Sequence, residues 1–205
     1  MIAVVDYGLN NLHSVRSALT AIGHDGVVTD DLERLRQADG IILPGVGAFG
    51  DAMGELAARG LKDGLIQLAR EGKPLLGICL GMQLLFETSE ENGKHNGLGL
   101  LQGEVVRFQG DFKIPHMGWN RLETVRPDPI LPQTEPGFVY FVHSYYARPA
   151  DSNVLIAVAD YYGRVPAIVG KDNIYGTQFH PEKSGSYGMQ LLAGFARMCE
   201  KGVAA

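Results

Sequence analysis

Lys73-Pro74-Leu75-Leu76-Gly77-Ile78-Cys79-Leu80-Gly81 is the stretch on which the fold turns. Residues 73–78 form a short apolar run bounded by Pro74, which reads as a buried strand leading straight into Cys79. The pattern over residues 80–86 is helical. A side chain on a sharp strand-to-helix turn needs small neighbours, because the bend brings backbone segments together. Gly77 and Gly81, two residues before and two after Cys79, supply that room. A thiol at a helix N-terminus is biased towards the thiolate by the free N–H groups and the macrodipole. The Leu80 N–H is placed to donate to an oxyanion. The plain alternative is a buried structural cysteine, a common core residue. Cys199 lacks the flanking glycines and the turn, and reads as core on the last helix.

Outward from this elbow, strand and helix signals alternate. Residues 2–6 are an apolar strand, followed by the turn Tyr7-Gly8-Leu9-Asn10-Asn11. Leu12, Val15, Leu19 and Ile22 then recur at helical spacing, with Asn10 or Asn11 as N-cap. Residues 40–43 are another strand, ended by Pro44. Met53 and Leu56 mark a short helix, and Leu61, Leu65 and Leu68 mark a second. This order implies right-handed βαβ units and a mainly parallel central sheet flanked by helices. The second half changes character. Residues 104–108, 119–125, 138–142, 154–159, 167–170 and 174–178 are strand candidates separated by turn residues, and the sheet is expected to continue into antiparallel strands. Residues 126–137, with Pro127, Pro129, Pro132 and Pro136, read as an exposed loop. Leu191, Phe195 and Met198 share the apolar face of a final helix, with Leu192 and Cys199 beside it. The expected fold is one α/β domain over residues 1–205.

Composition narrows the function classes. The chain has 205 residues, 45% hydrophobic and 20% charged, enough for one domain with a sizeable core. A formal net charge of −5, with no run of Lys and Arg, argues against nucleic-acid binding. No segment approaches the length of an apolar membrane span, and residues 1–6 read as a strand rather than a signal peptide. Two cysteines make no disulfide framework, so the expected compartment is the cytoplasm.

A second chemical string, Phe179-His180-Pro181-Glu182-Lys183-Ser184, follows the last strand. Proline pushes the preceding residue towards extended geometry, so His180 and Glu182 can lie on one side. A carboxylate that orients an imidazole, and an imidazole that exchanges a proton with Cys79, make a triad. The alternative is a surface His and Glu in a turn. One Cys, one His and one Glu show no zinc-ligand spacing. Gly45-Val46-Gly47-Ala48-Phe49-Gly50 matches a dinucleotide fingerprint, but the acidic residue expected about 20 positions on, at the end of the next strand, is missing. The better reading is a flexible loop beside the elbow, whose N–H groups give a second oxyanion donor.

Gly77-Ile-Cys79-Leu-Gly81-Met-Gln83 with His180-Pro-Glu182 resembles the class I, triad-type glutamine amidotransferases along essentially the whole chain. Four further stretches narrow the resemblance: Asp6-Tyr-Gly-Leu-Asn-Asn-Leu12, Pro44-Gly-Val-Gly-Ala-Phe49, Ile114-Pro-His-Met-Gly-Trp-Asn120 and Tyr140-Phe-Val-His-Ser-Tyr145. With these the chain looks like the glutaminase subunits of imidazole glycerol phosphate synthase, of histidine biosynthesis. The resemblance implies that Cys79 forms a glutamyl thioester, with His180 as base and then acid and Glu182 orienting it. It implies that Gln83, Glu91, Ser144 and Tyr145 contact glutamine, and that Gly45, Val46, Gly47 and Leu80 hold the oxyanion. It calls for no metal or cofactor. It further implies that ammonia passes to a (β/α)8-barrel cyclase in a heterodimer, with Asn11, Trp119, Tyr140 and Lys183 at the interface. For Trp119 and Tyr140 the plain alternative is a place as core and sheet residues. Rival readings are the glutaminase subunit of another amidotransferase, a cysteine hydrolase or chaperone-like protein with a similar elbow, and a non-catalytic binding subunit of the same fold. The hydrolase or chaperone-like protein would be expected to carry a histidine directly after the cysteine, where Leu80 stands.

Overall fold

The computed structural model describes residues 1–8 and 11–201. Leu9 and Asn10, and with them one of the two expected N-caps, lie outside the described residues. The chain runs β1 (Ile2–Val5), α1 (Leu12–Ala21), β2 (Gly26–Thr29), α2 (Leu32–Gln37), β3 (Gly40–Gly45), α3 (Phe49–Ala58), α4 (Leu61–Arg70), β4 (Leu75–Cys79) and α5 (Leu80–Leu84). It continues through β5 (Phe86–Ser89), β6 (His95–Asn96), β7 (Leu101–Arg107), β8 (His116–Thr124), β9 (Phe138–His143), β10 (Tyr145–Pro149), β11 (Leu155–Asp160), β12 (Arg164–Lys171), β13 (Ile174–Thr177) and α6 (Gly185–Lys201).

A nine-stranded sheet has the order β2-β1-β3-β4-β13-β12-β11-β8-β9. Its first five strands are parallel and the remaining pairings antiparallel. The difference is written in the burial. β1, β3 and β4 are buried at every position, as strands covered on both faces must be. Along β1 the residues alternate between two cores. Ala3 and Val5 join Leu35, Leu56 and Leu65 from α2, α3 and α4. Ile2 and Val4 join Val15 and Leu19 of α1 and Leu191 and Phe195 of α6. β9 instead alternates buried and accessible positions, as an edge strand with one covered face does. Among the described residues no helix is long and apolar enough to cross a membrane.

Several local expectations are corrected. Pro44 does not end β3, which runs on to Gly45 and pairs there with Cys79. Strand N–H groups alternate in direction, and Ile41 donates towards β4 to Pro74 O. The missing N–H of Pro44 therefore faces away from β4, beyond the register with β1 that ends at Val4 and Ile42, and costs no bond to β4. Helix α5 stops at Leu84 rather than residue 86, because Phe86 starts β5 in a second, four-stranded sheet, β10-β7-β5-β6. Asn11 stands at the N-cap of α1, but its Oδ1 accepts from Ser14 Oγ at 3.0 Å and makes no side-chain cap to the backbone. The proline-rich segment is not wholly exposed: Ile130 is fully buried against Gly194 of α6, where a Cβ would lie 2.6 Å from the Ile130 carbonyl oxygen. Cys199 is core, and burial pushes its thiol up to about 12.

Candidate active site

The carboxyl ends of β3, β4 and β13 meet at one point, the usual place for a ligand on a parallel sheet. Cys79 closes β4 with φ 54° and ψ −110°, left-handed backbone in a residue that is not glycine. Such strain persists only where the surroundings enforce it. Here they do: a Cβ on Gly77 would lie 2.5 Å from the Gly81 oxygen, and one on Gly81 would lie 1.8 Å from the Leu43 oxygen. The elbow is thus wedged against the backbone of β3, and the room read from the two glycines is real close approach.

That contact makes a stability prediction. Gly81→Ala must push β3 and α5 apart, costing about 3 kcal/mol and lowering the melting temperature by about 6–12 °C. Gly54→Ala is the control: the site is in α3, exposed, with nothing within 4 Å of the new Cβ. It should gain about 0.5–1 kcal/mol. Thermal unfolding of both variants checks this, and equal melting temperatures would refute the close-approach account.

Cys79 Sγ is 3.9 Å from Gln178 Nε2 and 4.0 Å from the Val142 carbonyl oxygen. His180 arrives from the turn after β13 in extended geometry, φ −95° and ψ 98°, as its place before Pro181 demands. Its Nδ1 is 2.8 Å from Glu182 Oε1, with both side chains almost wholly buried. Burial works against the charged imidazole, but hydrogen bonds to Cys79 and Glu182 outweigh it and lift the group up to about 10. The arrangement therefore favours an imidazolium beside Cys79 at neutral pH.

A cavity of about 400 Å³ opens over these groups. Val46, Gly47, Cys79, Leu80, Gln83, Glu91, Ser144, Tyr145 and His180 all line it; Gly45 lies behind them, at the end of β3, under the hydroxyl of Tyr7. The loop expected over residues 45–50 shrinks to Val46-Gly47-Ala48, since Phe49 already begins α3. Glu91 holds that helix start, its Oε2 accepting from the Phe49 N–H at 2.7 Å. This leaves Oε1 for a cationic ligand group. Gln83 is buried and donates from Nε2 to the Tyr145 carbonyl at 2.8 Å and to Gln178 Oε1 at 3.1 Å. Gln178 was not singled out by the sequence; it links Gln83 to the sulfur and is fully buried. Nothing but its place two residues before His180 could have flagged it.

Of the four expected interface residues, Tyr140 and Lys183 adjoin the site through the His180 backbone, whose N–H donates to the Tyr140 carbonyl at 3.1 Å and whose carbonyl accepts from the Lys183 N–H at 3.0 Å. Trp119 is 57% exposed, which overturns the core alternative for it, and packs cross-strand on half-buried Tyr140 with rings 6.1 Å apart. Lys183 is exposed and Asn11 half-buried. Met117 and Phe138, both more than half exposed, extend the Trp119–Tyr140 face.

The family described as "Glutamine amidotransferase class-I" matches residues 3–198. The imidazole glycerol phosphate synthase subunit HisH of Geobacillus sp. (strain WCH70) is 52% identical over 98% of this chain and 98% of its own. That of Bacillus subtilis (strain 168) is 52% identical over 97% and 96%. Among solved structures, one described as a glutamine amidotransferase superposes with a TM-score of 0.79 at 19% identity, covering 98% of this chain and all of its own. PurLQS from Thermotoga maritima gives 0.75 at 24%, over 96% and 97%. Likeness at such low identity speaks for the fold alone, whereas the half-identical relatives match end to end. With its elbow, buried His–Glu pair and full-length kinship, the chain belongs to the class I glutamine amidotransferases and, within them, to the HisH subunits of imidazole glycerol phosphate synthase.

Proposed function

We propose that this chain acts as one glutaminase domain in which Cys79, His180 and Glu182 hydrolyse glutamine and supply its ammonia to imidazole glycerol phosphate synthesis in histidine biosynthesis. The observation that carries the assignment of residues is the strained Cys79 elbow facing the buried His180–Glu182 pair inside one cavity.

The Cys79 thiolate attacks the side-chain amide carbon of glutamine, and the oxyanion takes N–H donors from Leu80 and from the Val46–Gly47 loop. The first N–H groups of a helix have no partner within it, which leaves the Leu80 N–H available. The His180 imidazolium gives its proton to the departing nitrogen, ammonia leaves and a glutamyl thioester remains. Neutral His180 then takes a proton from water, the hydroxide adds, and collapse expels the thiolate and glutamate. Glu182 holds the imidazole tautomer throughout. Glu91 Oε1 faces the substrate ammonium, and Gln83, Ser144 and Tyr145 hold the rest of the amino acid.

The exposed Met117, Trp119 and Phe138, with Tyr140, Asn11 and Lys183, form the docking face for a (β/α)8-barrel cyclase that receives the ammonia. The compartment is the cytoplasm. Because the second set of oxyanion donors sits on the short loop 46–48, docking of the cyclase completes their alignment with the Leu80 N–H. Glutamate release is accordingly expected to be slow from the chain alone and faster with the cyclase. Equal rates in the two conditions would rule this coupling out, while absence of glutamate in both would sink the glutaminase reading itself.

A further inference from the structure

His116 on β8 and His143 on β9 are 27 residues apart in sequence, and the antiparallel register sets them directly opposite one another. Both are buried, with His116 Nδ1 3.1 Å from His143 Nε2. The neighbours leave one set of proton positions. His143 Nδ1 is 2.8 Å from the Tyr145 carbonyl, so it must carry the proton and donate. Its Nε2 is then an acceptor, which requires His116 Nδ1 to be the donor. His116 Nε2 in turn accepts from Asn120 Nδ2 at 3.3 Å. Asn120 is fixed the same way: Nδ2 also donates to the Asp160 carbonyl at 2.8 Å, and Oδ1 accepts from the Arg121 N–H at 2.8 Å. The His116 ring is clamped between Tyr161, centroids 3.9 Å apart and 16° from parallel, and Phe141, 4.5 Å and 20°. Burial keeps both imidazoles uncharged, holding His116 down at about 4 and His143 at about 3.

The carbonyl at the end of this chain is the one that accepts from Gln83 Nε2, and His143 and Tyr145 both line the cavity. We propose that His116, which does not itself line the cavity, is a positioning residue for glutamine binding: by donating to His143 Nε2 it holds the orientation of that ring, and through the Tyr145 carbonyl it fixes Gln83. Without the His116 donor, the buried His143 Nε2 is left without a partner and the ring turns towards one. Its Nδ1–H then leaves the Tyr145 oxygen, the carbonyl moves, and Gln83 loses its main acceptor. This rests on the glutaminase reading above.

The test is steady-state glutaminase kinetics on the full chain, with and without the barrel cyclase. His116→Phe keeps the aromatic stack but cannot donate; His116→Asn places an amide N–H near the Nδ1 position. Loss of one buried hydrogen-bond link to a ground-state contact should raise KM for glutamine about tenfold and change kcat less than about twofold in His116→Phe. His116→Asn should recover most of that loss. Nitrogen-15 NMR of the wild-type chain should show His143 neutral and protonated on Nδ1 at pH 7, and the Nδ1–H bond to the Tyr145 carbonyl should weaken in His116→Phe, read as an upfield shift of that proton. An unchanged KM in His116→Phe, equal losses in both variants, or a wild-type His143 protonated on Nε2 or on both nitrogens would each overturn the proposal, the last even if a variant failed to fold. A wild-type chain that forms no Cys79-dependent glutamate would instead overturn the underlying glutaminase reading.

Discussion

Cys79→Ala is expected to cut glutamate formation by about 10^5-fold in the presence of the cyclase, down to what binding and oxyanion donors alone provide. The reason is that the other cysteine cannot take the nucleophile's place. Cys199, the chain's second cysteine, is buried against Gly40 in the core, and its protonation is favoured by burial. The same variant carries a second readout. Among the influences that raise the His180 imidazole, the hydrogen bond to Cys79 is the largest. Removing the sulfur should therefore lower that group from about 10, so that its imidazolium is lost at a lower pH than in the wild type. An NMR titration of His180 in the two proteins tests this sign directly. If the alanine variant kept both glutamate release and the high His180 titration, Cys79 would be neither nucleophile nor partner.

What could be read from the sequence divides along physical lines. The doubly covered strands were legible because every position is apolar, and the triad because each half sits in a short local string. The four-residue β2 was not, since none of its residues but Thr29 is fully buried and no periodicity can show in so short a run. Helix α2 has one fully buried residue, Leu35, and is held instead by Asp31, whose side chain caps the Glu33 N–H at 2.8 Å. The end of α5 was misplaced because Leu84-Leu85-Phe86 is apolar whichever way it folds, and a short apolar run does not distinguish helix from strand. The site divides likewise. Gln178, His116 and His143 gain their meaning from register: β12 holds the Gln178 backbone through Ala167 O, and the β8–β9 pairing brings the histidines face to face. No local spacing announces such contacts. Conversely, the G-x-G-x-x-G string is locally persuasive and structurally different, its first glycine ending a strand and its last lying inside α3.

Glu182 is where orientation and charge can be separated. Glu182→Ala should lower kcat by about 10^3-fold yet leave activity well above that of Cys79→Ala, because the carboxylate holds the base and does not attack. The alanine leaves the buried Nδ1–H of His180 without its acceptor, so the ring can turn or take the other tautomer. Glu182→Gln keeps the shape and, with its oxygen towards Nδ1, keeps the tautomer, but removes the negative charge that favours imidazolium. The second carboxylate oxygen, Oε2, is buried with no hydrogen-bond partner among the described residues. The glutamine NH2 placed there would go unsatisfied, and the amide is pulled towards the flipped orientation that selects the wrong tautomer. Glutamine should therefore lose at least as much as alanine, on the order of 10^3–10^4-fold. The His180 group should drop in both variants, since Glu182 raises it by hydrogen bond and by charge. A glutamine variant as active as wild type would show that the charge is dispensable. An alanine variant as dead as Cys79→Ala would show that Glu182 does more than orient. Single-turnover glutamate release beside an imidazole titration tells these outcomes apart.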